Sequence, residues 1–172
     1  MKLLLTGAPG IGKTTIIMKV LEELQVEGGG FYTEELRQGR RRVGFVVKDL
    51  EGREGLLAHV DLAEGPRVGK YRVDVRSFEE VAIPALEEAL REKDLVVIDE
   101  IGKMELFSER FRELVQEALR GPKDVLGVIH KGHDPFSLSL REIPGVRIWE
   151  VTLANRDQLP QRIAEELKKG TL

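Results

Sequence analysis

Lys13, Thr14, Asp99 and Glu100 are the side chains in this 172-residue sequence whose types and spacing promise chemistry. The first two close the stretch Gly7-Ala8-Pro9-Gly10-Ile11-Gly12-Lys13-Thr14, which meets the pattern G-x-x-x-x-G-K-[ST] at every fixed position. That chemistry is phosphate binding. The glycines let the backbone bend around a phosphate chain with no side chain in the way. Successive amide hydrogens then face inward as an anion nest, and a helix opening near Lys13 adds the positive end of its dipole. Lys13 supplies a mobile charge for the β- and γ-phosphates of a nucleotide, and Thr14 offers a hydroxyl to Mg2+. Gly7 through Thr15 form the expected nucleotide-binding set.

Asp99 and Glu100 end the apolar run Leu95-Val96-Val97-Ile98. Ligands of open parallel sheets bind at the carboxyl ends of strands, where the phosphate loop also lies. Asp99 is therefore expected to face the magnesium ion through its water shell. Glu100 is expected to be the general base that orients or deprotonates an attacking water. Lys103 is open between a contact to the γ-phosphate and a surface lysine. His130 and Lys131 end another apolar run and read more simply as a polar strand end than as phosphate sensors. No second ligand stands at metal spacing from His130, which disfavours zinc. Asn155 and Arg156 are open between contacts to a nucleotide base and an ordinary helix start capped by Asp157.

The elements that must position these residues can be read from periodicity. Lys2–Thr6 is a short apolar strand before the loop, and Ile16, Ile17, Val20, Leu21 and Leu24 recur at helical spacing from Lys13 to about Gln25. Gly28-Gly29-Gly30 reads as a stop that turns the chain into a strand at Phe31-Tyr32-Thr33. Gln38–Arg42 reads as a hairpin turn between Thr33–Leu36 and Val43–Lys48, with Arg40-Arg41-Arg42 as its solvated tip. Glu51-Gly52 is a second turn, into Gly55–Val60. Tyr71–Val75 is a candidate strand; Arg67, Lys70, Arg72 and Arg76, which cluster just before the next helix, could meet substrate phosphates but read more simply as a solvated face. Ser77 with Glu80 forms a capping box for a helix to about Glu92, which Pro84 should kink or delay. Glu105 to about Arg120 is a helix with Phe107 and Phe111 on its apolar side. Val125–His130 and Val146–Val151 are the last strands, and a helix lined by Leu159, Ile163 and Leu167 ends the chain.

Composition narrows the class. Hydrophobic content of 41% with 33% charged residues suits a soluble globular protein of one domain spanning residues 1–172. A net charge of −3 disfavours a protein that coats nucleic acid. Absence of cysteine removes disulfides and thiolate chemistry. No apolar run approaches membrane-span length, so a cytoplasmic monomer is expected.

Together, Gly7–Thr15, Gly30-Phe31-Tyr32-Thr33-Glu34-Glu35, Asp99–Leu106 with its preceding strand, and Val151–Asp157 resemble the small P-loop nucleoside-triphosphatases that include the cancer-related nucleoside-triphosphatase of animals. The resemblance covers essentially the whole chain. It implies slow, magnesium-dependent hydrolysis of nucleoside triphosphates (ATP, GTP, CTP and UTP alike) to diphosphate and phosphate. It also implies Lys13 and Thr14 as phosphate and metal ligands, Asp99 as the Walker B acid, Glu100 as the catalytic acid, and Ile101 and Gly102 as part of the same pocket. The expected fold is α/β: a three-layer P-loop domain with a mainly parallel sheet, helices on both faces and an antiparallel β-insert between roughly Phe31 and Val60. The rivals are a nucleotide or small-molecule kinase and a nucleotide-operated binding module acting on RNA or a partner. A kinase needs a lid that excludes water, and the only arginine-rich insert, Arg37–Arg42, reads as a hairpin instead.

Overall fold

The computed structural model describes residues 1–170; positions 171–172 of the expected domain lie outside the described residues. Its strands are β1 (Lys2–Thr6), β2 (Gly28–Gln38), β3 (Arg41–Asp49), β4 (Glu54–His59), β5 (Arg67–Val68), β6 (Tyr71–Val73), β7 (Leu95–Ile101), β8 (Asp124–Ile129) and β9 (Val146–Glu150). Its helices are α1 (Lys13–Leu24), α2 (Val75–Glu92), α3 (Glu109–Arg120), α4 (Pro135–Arg141) and α5 (Leu159–Gly170), with a 3-10 turn at Glu105–Phe107.

All the strands share one sheet in the order β5-β6-β4-β3-β2-β7-β8-β1-β9. From β2 to β9 neighbouring strands run parallel, and the inner ones, β7, β8 and β1, carry the largely apolar sequences of strands buried on both faces. From β2 outward to β5 they run antiparallel. The antiparallel extension thus exceeds the expected insert, since β6 joins β4 through Ala58–Val73 and carries the extension past Val60.

Two apolar layers sandwich the sheet. Ile16, Ile17 and Val20 of α1 and Ile163 and Leu167 of α5 pack on Leu3, Leu5, Val97 and Val128 on one face. On the other, α2 and α3 cover Phe31, Val96 and Ile98. Phe31, Phe78 and Phe111 lock that second layer, edge to face, with centroids 5.3–5.6 Å apart.

Local details depart from the sequence reading. Gly28-Gly29-Gly30 is not a turn; it is the start of β2, paired with Leu95–Val97 of β7. Helix α1 ends about where expected, at Leu24 with Gln25 as its cap, whose φ of 53° is left-handed. The glycines serve close packing: a Cβ on Gly30 (φ +117°) would lie 2.0 Å from the Val97 carbonyl oxygen. Helix α2 is capped by Asp74, not Ser77. The Asp74 carboxylate accepts from the Ser77 amide at 3.0 Å, and the Asp74 amide is pinned to the Leu57 carbonyl, so the helix opens earlier. Pro84 neither delays nor interrupts α2, which is assigned unbroken from Val75 to Glu92. Helix α3 starts only after Ser108, whose hydroxyl accepts from the Phe111 amide. Phe107 therefore belongs to the 3-10 turn and is 45% exposed, rather than lying in the apolar stripe of α3. The last helix begins at Leu159, two residues beyond the expected Asp157 cap.

Candidate active site

Strand β1 delivers the chain to Gly7, and α1 begins at Lys13; the six residues between form the loop. Gly12 makes the transition in a left-handed conformation (φ 112°), from which its carbonyl accepts the first helical bond, from Ile16. A side chain there would be strained, which explains the glycine at that position. Lys13 Nζ donates to the Gly7 carbonyl at 2.5 Å, so its charge is held over the mouth of the loop.

Strand β7 brings the carboxylates. Thr14 Oγ1 donates to Asp99 Oδ2 at 2.6 Å, joining positions 85 residues apart in sequence. Burial lifts the Asp99 carboxyl to about 7; the Thr14 hydroxyl and Lys13 oppose the rise, and the charge of Glu100 adds to it. Between Asp99 and Ile101 the pairing of β7 with β8 slips, leaving Glu100 as an unpaired bulge residue at the strand's end. The Asp99–Glu100 peptide is cis. Burial also raises the Glu100 carboxyl, while the nearby charges of Lys13 and His130 pull it back.

Behind Glu100 lies a carboxyl that sequence reasoning passed over. Glu105 is 3% exposed, and burial with the added charge of Glu100 raises it well above the ordinary carboxylate range. Gly102 separates the two: a Cβ there would meet Glu105 Oε1 at 3.0 Å and Glu100 Oε1 at 3.1 Å. A buried acid at that spacing has no sequence signature, because it sits inside an amphipathic-looking run.

A cleft of ≈460 Å³ gathers Gly7–Gly10, Lys13, Thr14, Asp99 and Glu100. Such a volume suits a small-molecule ligand. Its far wall comes from the antiparallel hairpin: Thr33, Glu34, Glu35, Arg42 and Phe45. Arg42 is thus not a solvated tip residue. It donates to Tyr71 Oη at 2.9 Å and Glu35 Oε1 at 3.0 Å, and its guanidinium lies 5.3 Å from the Phe45 ring centroid. The alternation of β3 was the available signal, since Arg42 precedes the buried Val43 while Arg40 and Arg41 remain exposed.

His130 and Lys131 also line the cleft. His130 Nε2 is 2.9 Å from Ser137 Oγ and 3.1 Å from Asp134 Oδ1, so its ring is fixed by the start of α4. Ile11, Gly12, Thr15 and Arg156 line a neighbouring recess of ≈250 Å³. Arg156 Nη1 reaches the Ile11 carbonyl at 3.4 Å. Asn155 is engaged locally: its Oδ1 accepts from the Thr152 amide at 2.8 Å, and its Nδ2 donates to the Glu150 carbonyl at 2.9 Å. Ile101 is fully buried in the core, and Gly102 lies under Glu100 rather than in the cleft. Lys103 points into an adjoining cavity.

Thr14 and Asp99 together offer hard oxygen donors at the loop's end, a set that fits magnesium, which retains water and phosphate oxygens as its other ligands. Among the described residues, no three or more His, Cys, Asp or Glu cluster as an all-protein metal cage. Nor is any described helix long and apolar enough to cross a membrane.

The chain is similar to known proteins over nearly its whole length. The chain is 48% identical over 168 residues to the nucleoside-triphosphatase THEP1 of Thermotoga maritima, covering 98% of this chain and 96% of that one. It is 49% identical over 171 residues to the Thermofilum pendens nucleoside-triphosphatase THEP1, covering 95% and 93%. The crystal structure of THEP1 from Aquifex aeolicus superimposes with a TM-score of 0.89 at 39% identity, over 97% of this chain and 99% of that one. The solution structure of a human cancer-related nucleoside triphosphatase does so with a TM-score of 0.81 at 42% identity, over 98% and 97%. A family model described as NTPase matches residues 2–164. This chain belongs to the NTPase family.

Proposed function

We propose that this nucleoside-triphosphatase hydrolyses the terminal phosphate of nucleoside triphosphates slowly, with magnesium and with little preference among bases. The reading rests above all on the Thr14 Oγ1–Asp99 Oδ2 contact of 2.6 Å, which places the loop's metal-side hydroxyl against the strand that carries Glu100. The loop amides and Lys13 hold the β- and γ-phosphates. Thr14 and Asp99, the latter through a water shell, would hold magnesium, which would supply positive charge to the phosphate oxygens. Glu100 accepts a proton from the attacking water, whose oxygen bonds to the γ-phosphorus in line as the bond to the β,γ-bridging oxygen breaks. Charge gathering on that bridging oxygen is met by Lys13 and the fixed amides, which need no reorganisation.

Supporting roles follow from position. Arg42, tethered by Glu35 and Tyr71, and His130, fixed by Ser137, bring positive or hydrogen-bonding groups to the opposite sides of the cleft. Arg156 borders the base, and Asn155 shapes the loop that presents it.

Phosphate release from ATP, GTP, CTP and UTP tests the reading, with nucleotide affinity measured in parallel for wild type and Glu100→Ala. All four should be hydrolysed, and Glu100→Ala should lose turnover by about 100-fold or more while keeping affinity, as general-base removal does. Undiminished release by the variant would show that Glu100 is not the base. Binding without any release by wild type would overturn hydrolysis itself.

A further inference from the structure

Beside the phosphate cleft lies a second, larger cavity of ≈590 Å³, and the two meet at His130. Its walls come from the β5–β6 turn, the segment after β7, helix α3 and the start of α4. Arg67, Lys103 and Arg112 line it, and among the described residues their side chains make no hydrogen bond or ion pair. Other cations, Lys19, Arg91 and Arg120 among them, are likewise without one among the described residues; what distinguishes these three is that they line one concavity. Arg37, Arg42, Lys48, Arg53, Arg76, Lys93, Arg110 and Arg147 all lie within ion-pair distance of carboxylates. The one carboxylate in the lining, Asp134, is already committed to the Ser137 amide and His130. A protein of net charge −3 therefore concentrates unmatched positive charge in a single concavity. Apolar rings stand in the same wall: Phe107, which is 45% exposed, and Phe136.

We infer that this cavity binds a second ligand, a small molecule that carries both a phosphate monoester and a flat aromatic ring, as a nucleoside monophosphate does. The guanidinium forks of Arg67 and Arg112 match phosphate oxygens, and three cations against one engaged carboxylate suit a dianion better than a singly charged group. Phe107 and Phe136 supply faces on which a ring stacks. The volume suits a ligand of mononucleotide size. The site is separate from the loop that holds the triphosphate, and its occupant lies alongside that loop's open end through His130.

The test is calorimetric. The phosphate loop is first saturated with a non-hydrolysable ATP analogue and magnesium, and AMP is then titrated, with adenosine as the uncharged control. One AMP per chain should bind on top of the analogue, adenosine at least tenfold more weakly, and added salt should weaken AMP. Arg67→Ala combined with Arg112→Ala should reduce AMP affinity at least tenfold and leave analogue binding unchanged, which also certifies the fold of the variant. No AMP binding at millimolar concentration to the analogue-loaded protein would overturn the inference. So would equal binding of adenosine, or AMP affinity unaffected by the double substitution. Failure of the analogue to bind in wild type would strike the proposed function instead; AMP titrated alone onto wild type and the double variant then decides the second site by the same criteria.

Discussion

Replacing Asp99 with asparagine should stabilise the nucleotide-free protein at alkaline pH and do so progressively less as the pH falls. Asp99 is 3% exposed, and burial moves its carboxyl from 3.8 to about 7, with the Thr14 hydroxyl opposing. Because the folded value is raised, the folded protein holds this proton more tightly than the unfolded chain does. The associated stability is fully present below the unfolded value and is lost as pH rises through about 7. At ~1.4 kcal/mol per pH unit, the whole span amounts to ~4 kcal/mol. Roughly 2.5 kcal/mol of it falls between pH 5 and pH 8. An asparagine keeps an oxygen for Thr14 and does not titrate. Guanidinium unfolding of wild type and Asp99→Asn, without nucleotide or metal, should therefore give a stability difference that grows in the variant's favour by that amount over the interval. A difference that stays flat with pH would refute a carboxyl kept from ionising by burial at Asp99. Glu100 and Glu105, also raised by burial, titrate in both proteins, and the substitution removes the repulsion that couples them to Asp99.

Other substitutions probe the frame. Lys13→Ala should weaken nucleoside-triphosphate affinity by tenfold or more, read by calorimetry, since it removes the charge that faces the phosphates. Gly30→Ala should destabilise by about 3 kcal/mol or abolish folding, because its Cβ would approach the Val97 carbonyl to 2.0 Å on a left-handed backbone; unchanged denaturation would contradict that packing. Phe111→Ala should cost about 3–5 kcal/mol, as it opens a hole between Phe31 and Phe78, with the loss visible in the same unfolding assay.

The residues proposed for the reaction were legible as a cluster because their physics is local. A glycine-rich loop between an apolar strand and an amphipathic helix makes a phosphate nest whatever surrounds it, and carboxylates that end an apolar run lie at the carboxyl edge of a parallel sheet. The hairpin turn at Gly39 was equally local. What failed were competitions settled by neighbours. Gly28-Gly29-Gly30 carries the composition of a turn, yet closeness to β7 and α2 drew it into a strand. Ser77 and Asp74 both offer caps, and the bond from the Asp74 amide to Leu57 on β4 chose between them.

The sequence by itself determined the loop, the strand-end acids and the alternation of parallel strands with helices, since each depends on residues within a few positions of one another. Only the tertiary structure decided the rest. It turned Arg42 from a hairpin charge into a wall of the cleft and put Glu105 behind Glu100. It also left Arg67, Lys103 and Arg112 unpaired around one cavity, although 45 residues separate the first from the last. Charge and burial of that kind arise from contacts between distant segments, and no pattern along the chain records which segments the sheet will bring together.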